Sequence, residues 1–592
     1  MGRGLSIPWV QRMSDTTHTG ATHGLTLGRR LPNIWDLAAI LTVFGLIVGA
    51  AHVVPGAFVK LNGTATAEIQ LDPSYLPYYA ARTTLRMFAA LAASLFFTFT
   101  YATLAAKSRR AELVMIPILD VLQSVPILGF LTFTTVFFMS LFPGSIAGLE
   151  LAAIFAIFTS QAWNMAFSLY QSLKTMPTDL DEAARSFRLT SWQKFWRLEV
   201  PFAMPGLIWN MMLSMSGGWF FVVASEAITV GDNTWKLPGI GSYVATALDK
   251  RDMGGIFWAI LAMAVVILLY DQLLFRPLTA WSSKFRVELT AGVEGEDPWV
   301  LKVMRRTRLM RAVGDGVGGA FSYVTGLRLG RAPRLGRAWA GRGGSRLGDV
   351  VFMVIVAAVA AYAIWQIVAY VTETLGWSDL GQAALLGVYT MIRVLLLMAL
   401  ATVFWVPISV WVGLRPAWAR RVQPAAQFMA AFPANLFFPI FVIAIVTYKL
   451  NPDIWLTPLI VLGTQWYIVF NVIAGAAAFP TDLREVAANF RVGGWMWWRK
   501  VMLPGIFPYF VTGAITASGG SWNASIVAEV ASWGNDKVEA HGLGAYIADA
   551  TANGDMAKVV LGVAVMSAFV LVFNRAIWRP MYAYAVRRTT LG

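Results

Sequence analysis

The sequence contains no cysteine, and this absence excludes disulfides, thiolate metal sites and catalysis by a thiol. A phosphate-binding loop of the form G-x-x-x-x-G-K-[ST] is also absent, since no lysine in the sequence follows a glycine. Charged residues make up only 13% of the 592 residues, against about 25% in a typical soluble domain. The chain therefore has no nucleotide site of its own, and its composition is not that of a soluble protein.

Hydrophobic residues make up 57% of the chain, and many runs reach the roughly 20 apolar residues that cross a bilayer as a helix. We expect the first run to be a retained helix, because it follows about thirty polar residues and has no clear signal-cleavage site. The pattern predicts an all-α polytopic membrane protein. About twelve transmembrane helices are expected, near 34–54, 84–106, 113–141, 149–173, 203–229, 255–275, 350–371, 382–413, 425–447, 455–476, 506–531 and 557–577.

The net charge of +15 is concentrated in alternate connections between the apolar runs. The other connections, such as 61–78 and 372–380, carry almost no lysine or arginine. Because basic connections stay on the cytoplasmic side of a membrane, this distribution predicts a multi-pass protein with both termini in the cytoplasm. We expect it in the bacterial inner membrane.

The two halves of the chain repeat at an offset of 303 residues. Each half has an even number of predicted spans, so the repeat is parallel, and such a pair encloses a path at its interface. We divide the chain into a cytoplasmic tail (1–33), a first transmembrane unit (34–281), a linker (282–348) and a second transmembrane unit (349–592). The matched pairs include Pro177 and Pro480, Glu182 and Glu485, Trp219 and Trp522, Glu226 and Glu529, and Gly239 and Gly542.

The linker is strongly basic, and its stretch "PWVLKVMRRTRLMRAV" alternates apolar and basic residues at helical spacing. That pattern is typical of a helix lying on the inner leaflet of the lipid bilayer. Nucleic-acid binding is the alternative for a basic segment, but a cytoplasmic linker needs no such partner, and we expect none.

Two charged segments stand out in this apolar chain: "PTDLDEAARSFRLTSWQKFWRLEVP" at 177–201 and "PTDLREVAANFRVGGWMWWRKVMLP" at 480–504. Acidic residues at the start of each favour a helix N-terminus by charge–dipole attraction. A short cytoplasmic helix joined to two spans can transmit force if another protein grips it. The alternative is an ordinary interfacial helix anchored by tryptophan and arginine, but two copies in register favour the first interpretation.

Both segments resemble the EAA loop of ATP-binding-cassette (ABC) importer permeases: Glu-Ala-Ala, three residues, Gly, nine residues, then Ile-x-Leu-Pro. The first copy has Glu182-Ala183-Ala184 after Asp181 and ends at Pro201, and the second has Glu485-Val486-Ala487 and ends at Pro504. The stretches "DVLQSVPILGF" (120–130) and "AAFPANLFFPI" (430–440) are similar to the nitrate, sulfonate, taurine and bicarbonate subgroup.

This resemblance implies the type I ABC importer permease fold, here with two units fused in one chain. It also implies two separate ATPase subunits, one on each loop, and an extracytoplasmic substrate-binding protein. ATP and magnesium would bind to the ATPase partners, so no cofactor is expected in this chain. The chain itself would be a transport subunit and not an enzyme.

Both copies depart from the motif at the same place, because Arg188 and Arg491 occupy its glycine position. Glycine is favoured where the backbone takes a positive φ, which costs another residue about 1 kcal/mol or more. We therefore expect a differently shaped turn, with Gly493 and Gly494 available to the second copy.

Polar residues within membrane spans tend to face a protein interior or water, so we consider several as candidates for the translocation path. Hydrogen bonding between helices is the alternative for each. Arg86 and Arg393 would supply two positive charges to an anion if they face inward, or anchor the spans at the outer leaflet if they face outward. The candidates are Arg86, Gln123, Gln161, Asn164, Trp219, Glu226, Arg393, Asn435, Gln465, Trp522, Asn523 and Glu529.

Glu226 and Glu529 lie about twenty residues into their spans, near the outer surface unless the helix bends at the preceding glycines. Their recurrence suggests a gate or a salt bridge to arginine that holds the halves together, with a plain boundary carboxylate as the alternative.

Together these features predict the permease subunit of an ATP-driven importer for a small solute, with an anion favoured by the two arginines. An ion- or proton-coupled secondary transporter with two six-helix halves is the alternative, and it requires acids or histidines at mid-span. A membrane enzyme would need a clustered acid–base or metal site, which the sequence does not show.

Overall fold

A computed structural model describes residues 68–230, 233–285, 298–329, 346–533 and 536–589. The predicted tail (1–33) and first span (34–54) lie outside these residues. Within them, eight helices are long and apolar enough to cross a bilayer, and three bent pairs of helices pass the same test. These eleven units correspond to the predicted spans after 34–54, so the polytopic all-α prediction is confirmed.

The first half consists of helices with one short hairpin. In chain order its elements are α1 (Leu76–Lys107), α2 (Arg109–Ser124), α3 (Ile127–Leu141), α4 (Ala147–Lys174), α5 (Thr178–Ser186), α6 (Ser191–Lys194), α7 (Val200–Ser225), β1 (Ala227–Val230), β2 (Asn233–Lys236), α8 (Ile240–Asp249), α9 (Met253–Tyr270) and α10 (Arg276–Ser282).

The linker contributes two helices, and the second half repeats the first. The linker helices are α11 (Trp299–Arg306) and α12 (Arg308–Gly326). The second half comprises α13 (Arg346–Thr372), α14 (Trp377–Gly413), α15 (Pro416–Ala431), α16 (Phe438–Thr447), α17 (Pro452–Trp455), α18 (Thr457–Leu462), α19 (Gln465–Ala477), α20 (Thr481–Asn489), α21 (Gly494–Trp497), α22 (Leu503–Ala528), β3 (Val530–Trp533), β4 (Asp536–Glu539), α23 (Leu543–Ala552), α24 (Met556–Phe573) and α25 (Arg579–Thr589).

The third span of each half is sharply bent at a proline. Helices α2 and α3 meet at 102°, and α15 meets the helical segment after it at 81°. The residues before Pro126 and Pro433 both have extended backbone, with ψ of 127° and 128°. A proline disfavours helical geometry in the residue before it, which explains why both breaks fall at this position. Each half therefore has a helix that begins inside the apolar layer.

The fifth span of each half ends in a β-hairpin that the sequence analysis did not anticipate. The predicted spans extended to residues 229 and 531, whereas α7 ends at Ser225 and α22 at Ala528. Strand β1 pairs with β2 from Ala227↔Lys236 to Val230↔Asn233, and β3 pairs with β4 in the same register. The hairpins lie at the opposite end of the fifth spans from α5 and α20. A continuous helix from Ser191 to Ser225 makes that separation about 50 Å.

The two halves pack directly on each other. One continuous hydrophobic cluster includes Leu128 and Phe221 of the first half and Phe470 and Ile526 of the second. Trp209 in α7 contacts Phe470 in α19, with ring centroids 6.1 Å apart. The interface that the parallel repeat predicted is therefore apolar over much of its area.

Candidate functional site

The predicted coupling helix of the first half, α5, is attached to the body by one small face. Ala184 is buried, whereas Glu182 and Ala183 are exposed. Phe187, at the C-terminal end of the helix, is 70% exposed. The face that carries the central glutamate of the motif is therefore open to a partner.

The second coupling helix, α20, repeats this arrangement. Ala487 is buried, Glu485 is exposed, and Val486 is 48% exposed. Phe490 corresponds to Phe187 and is 79% exposed. The same positions of the two motifs thus face outward in both halves.

The expectation of a differently shaped turn at Arg188 and Arg491 is wrong. Both arginines have a φ of 51°, the left-handed conformation that glycine usually supplies. The Arg188 N–H donates to the Arg185 carbonyl at 2.9 Å, and the Leu189 N–H donates to the Ala184 carbonyl at 3.1 Å. These two bonds define a Schellman helix end.

The second copy forms the same turn. The Arg491 N–H donates to the Ala488 carbonyl at 3.0 Å, and the Val492 N–H donates to the Ala487 carbonyl at 2.9 Å. Both arginine side chains are exposed, so they do not clash with other residues, and the only strain is in the backbone. The two carbonyl bonds and the buried alanine hold the left-handed residue in place, and Gly493 is not needed for this turn.

Asp181 belongs to a chain of ion pairs that ties α5 to the membrane spans. It contacts Lys194 and lies 2.5 Å from Arg185, while Glu199 lies 3.5 Å from Lys194 and 2.7 Å from Lys107. Burial opposes ionisation of Asp181, but the hydrogen bonds from Lys194 and Arg185 outweigh it and hold its pKa below the usual value. Its ion pairs are therefore lost only as the pH falls through that lowered pKa.

Arg86 and Glu226 lie together in a buried ion cluster at the hairpin end of the first half. The Arg86 Nη1 atom is 2.6 Å from Glu226 Oε1, and Arg86 Nε is 2.6 Å from Glu150 Oε2. Thr83 Oγ1 donates to Glu226 at 2.7 Å, and the Gly241 N–H donates to it at 2.7 Å. Glu226, at the end of the fifth span, thus accepts bonds from one other span, α1, and from the N-terminus of α8.

The second half contains the corresponding cluster, which is more open. Arg393 lies 3.3 Å from Glu529 Oε1 and 2.7 Å from Asp453 Oδ1. Thr390 Oγ1 donates to Glu529 at 2.8 Å. The side chain of Asp453 is 35% exposed, against 8% for Glu150 of the first half, and it also contacts the exposed His541.

These clusters correct two expectations. Each arginine–glutamate pair lies within one half, so neither is a salt bridge between halves. Arg86 is 3% exposed and Glu226 is fully buried, so in this conformation the arginine serves two carboxylates instead of an anion or the lipid surface. The helix that leads to Glu226 also runs unbroken through Gly217 and Gly218.

Three other candidates are packed inside the halves. Trp219 is 1% exposed and contacts Tyr270 edge to face at 5.6 Å. Trp522 is also 1% exposed and lies 6.3 Å from Phe573. Gln161 is fully buried and donates to the sulfur of Met215 at 2.9 Å. In this conformation these side chains contribute to packing.

Three more candidates make polar contacts between helices of one half. The amide of Gln123 donates to Asn164 Oδ1 at 3.2 Å, which joins α2 to α4. Gln465 Oε1 accepts from Trp405 Nε1 at 2.8 Å, which joins α19 to α14. These contacts agree with the hydrogen-bonding alternative.

Asn523 and Asn435 lie where the halves meet. Asn523 Oδ1 accepts from the Ile127 N–H at 2.7 Å, so a second-half amide satisfies the first free donor of the broken helix α3. Asn435 lines a cavity of about 420 Å³ between the two halves, beside both hairpins. Thr132, Ser532 and Thr551 are its other hydroxyl-bearing neighbours, and none of the described residues that line it is charged.

The sequence analysis missed the second carboxylate of each cluster. Glu150 and Asp453 are separated by 303 residues, so the offset that revealed the repeat also relates them. Thr83 and Thr390 stand three residues before Arg86 and Arg393, and both of these pairs are separated by 307 residues, four more than the rest of the repeat. A search for matched polar pairs at the offset of 303, instead of for acids near mid-span, would have found Glu150 and Asp453, whereas the threonines also require the local shift of four residues.

Comparison with known proteins shows that each half of the chain matches the same protein family. The family model described as binding-protein-dependent transport system inner membrane component matches residues 94–276 and again 405–578, which together make up more than half of the chain. The chain belongs to this family. Membership confirms the resemblance to ABC importer permeases, with two permease units in one polypeptide.

Individual relatives of this permease transport different solutes. A glycine betaine/carnitine transport permease protein of Listeria monocytogenes is 32% identical over 28% of this chain and 54% of its own length. A bicarbonate transport system permease protein of Synechococcus elongatus is 28% identical over 30% of this chain and 60% of its own length. These matches span little more than half of each relative. A nitrate import permease protein of Leptolyngbya laminosa is 24% identical over 45% of this chain and 94% of its own length.

We predict that Arg491→Gly will stabilise the turn after α20, whereas Arg491→Val will destabilise it. A non-glycine residue in the left-handed region costs about 1 kcal/mol, and a β-branched residue costs more. The measurement is hydrogen exchange of residues 481–493 in the permease reconstituted without partners, where glycine should slow exchange and valine should speed it. Faster exchange in the glycine variant would mean that the arginine side chain, and not backbone strain, decides the turn.

We also predict that Arg86→Ala will destabilise the permease more than Arg393→Ala. Removing one partner of a fully buried ion pair leaves an uncompensated charge and costs about 3–5 kcal/mol, and the more open second cluster lets water replace part of the loss. Thermal unfolding of the purified protein measures the difference, with Lys558→Ala, which removes a half-exposed ion pair, as the control. Equal shifts for both arginine variants would contradict the different burial of the two clusters.

Proposed function

We propose that this chain is the membrane-spanning subunit of an ATP-driven importer and that two ABC ATPase subunits dock on α5 and α20. The observation that carries the proposal is the exposure of the same motif faces in both halves, centred on Glu182 and Glu485. Neither helix has an internal partner for that glutamate's face among the described residues. A separate protein that hydrolyses ATP can therefore grip both halves in equivalent ways.

The proposed orientation places α5 and α20 in the cytoplasm and both hairpins on the outer side. The distribution of arginine and lysine supports it, because the basic connections lie at the coupling-helix end. An extracytoplasmic binding protein would then deliver solute at the hairpin end, where the 420 Å³ cavity lies between the halves. Both chain termini would be cytoplasmic.

We propose that the path runs along the interface between the halves and that Asn435 and Asn523 are its polar side chains. Arg86, Glu226, Arg393 and Glu529 have a different role in this proposal: they hold the outer end of each half together. The two arginines therefore no longer support an anionic solute. A small anion is favoured by the bicarbonate and nitrate relatives, while the betaine relative leaves a zwitterion as the other class.

An ion-coupled secondary transporter is less well supported. Such a transporter needs a carboxylate that gains and loses its charge during the cycle. The buried carboxylates Glu150, Glu226 and Glu529 each contact an arginine, which favours the ionised form of the carboxylate in this conformation.

We predict that Glu182→Ala combined with Glu485→Ala will abolish ATP-dependent uptake while leaving the permease folded. Losing a charged contact at each interface should weaken ATPase binding about tenfold or more per loop, since about 1.4 kcal/mol corresponds to tenfold. The measurements are ATPase co-purification and uptake of labelled nitrate, bicarbonate or betaine into proteoliposomes. Glu373→Ala, at the opposite end of the molecule, is the matched control and should retain both activities.

Uptake driven by an ion gradient without ATP would contradict the proposal. Retained ATPase binding in the double variant would contradict the docking assignment.

A further inference from the structure

The linker helix α12 covers the segment that follows the first coupling helix. Trp192 Nε1 donates to the Val324 carbonyl at 2.9 Å, and Gln193 Nε2 donates to the Gly326 carbonyl at 2.8 Å. Phe321 packs edge to face on Trp196, with centroids 5.8 Å apart. Gln193 is left only 8% exposed. The end of the linker helix therefore fits against the loop immediately after α5.

No described residue covers the corresponding surface of the second half in this way. Trp495 and Met496 occupy the positions of Trp192 and Gln193 at the 303-residue offset. They are 73% and 60% exposed. Arg499 replaces Trp196, so the ring on which a second Phe321 could pack is missing. The described linker helix α12 is bound to the first loop.

The ion chain that braces α5 is also missing from the second half. Arg484, Trp497 and Met502 stand at the positions of Asp181, Lys194 and Glu199. The acids and the lysine that link the first coupling helix to its spans thus have no equivalents. The second coupling segment is held by fewer contacts and leaves more apolar surface exposed.

That exposed surface is continuous with the proposed docking helix. It begins on α20, where Leu483 and Val486 flank Glu485 and are 52% and 48% exposed, and continues through Phe490 to Trp495 and Met496. A contiguous apolar patch of this kind marks an interaction site, and tryptophan is enriched among residues that dominate such interfaces. A protein that binds Glu485 would reach the adjoining patch.

We propose that the two ATPase subunits meet unequal surfaces: the second contacts Trp495 and Met496 directly, whereas at the first loop the linker helix already occupies the equivalent face. This inference rests on the proposed function and names the contacts of its partners. The first ATPase then grips a coupling helix braced by the linker and by ion pairs. The second binds a helix whose apolar flank stays exposed until the ATPase covers it.

Natural absence of cysteine makes a direct test possible, because a single introduced thiol is the only reactive one in the chain. Met496→Cys and Gln193→Cys place thiols at matched positions of the two halves. Each full-length variant is reconstituted in lipid nanodiscs, with and without co-expressed ATPase subunits, and treated with a charged, membrane-impermeant maleimide. The rate of labelling is measured for each.

We expect the thiol at 496 to react rapidly without ATPase and to become protected when the ATPase binds. The thiol at 193 should react about tenfold more slowly in both conditions, because a covered thiol reacts only from locally opened states. Adding Phe321→Ala to the Gln193→Cys variant should speed its reaction by loosening the linker. Trp192→Cys provides a second reporter on the covered face if loss of the glutamine itself displaces α12.

Three results would overturn the inference: slow labelling at 496 without ATPase, which would place the patch in lipid; labelling at 496 that bound ATPase does not protect; or equal, ATPase-sensitive labelling at both positions. In each of these cases two ATPase subunits can still co-purify, and the proposed function stands. If no ATPase binds the cysteine-free parent, the proposed function fails instead.

Discussion

The buried bond between an arginine and a glutamate at the hairpin end is the interaction on which each half depends. Glu226 is buried in an apolar surrounding, and a carboxylate there is tolerable only with a charged partner and hydrogen bonds to its remaining lone pairs. Arg86, Thr83 and the Gly241 N–H supply them. These partners come from two segments, α1 and α8, and Glu226 itself ends α7, so the need to satisfy one carboxylate fixes the second span, the fifth span and helix α8 relative to one another.

Because the hairpin end of the fifth span is held in place, a force on the predicted coupling helix, about 50 Å away, can be transmitted along the span. A force on α5 reaches the hairpin only if the span between them does not bend and if its far end is held. The continuous helix from Ser191 to Ser225 meets the first condition, and the Glu226 cluster meets the second. Each half can therefore rotate as a unit, while the interface between halves is largely apolar and has the cavity at one end.

Much of this arrangement could be predicted from the sequence, because the repeat shows which residues of the two halves are equivalent. Local sequence patterns do not give that information. The offset of 303 located both predicted coupling helices and the buried glutamates Glu226 and Glu529. It did not reveal the left-handed turn at Arg188. Residue propensity alone predicts that only glycine takes this conformation, but here hydrogen bonds to the last carbonyls of the helix fix the backbone of Arg188. The hairpins were missed because Ala227–Val230 is as apolar as the span before it. The contact between the linker and the first half depends on hydrogen bonds from Trp192 and Gln193 to backbone carbonyls of α12. The periodicity of the sequence cannot predict such bonds.

The asymmetry at the α5 and α20 end of the molecule follows from joining two homologous units with one connection. Two separate permease chains related by a two-fold axis present identical loops to their partners. A single linker has one path, and if it binds anywhere it binds one half and breaks the symmetry. The hairpin-end clusters, which the described linker helices do not reach, keep the arginine, the glutamate and the threonine in both halves, but Asp453 stands in place of Glu150 and Tyr389 in place of Arg82. The predicted coupling segments, of which α12 contacts the first, differ in their tryptophan cover, their ion pairs and their exposed apolar area. Fusion thus leaves the hairpin ends similar and makes the two proposed ATPase docking surfaces distinguishable.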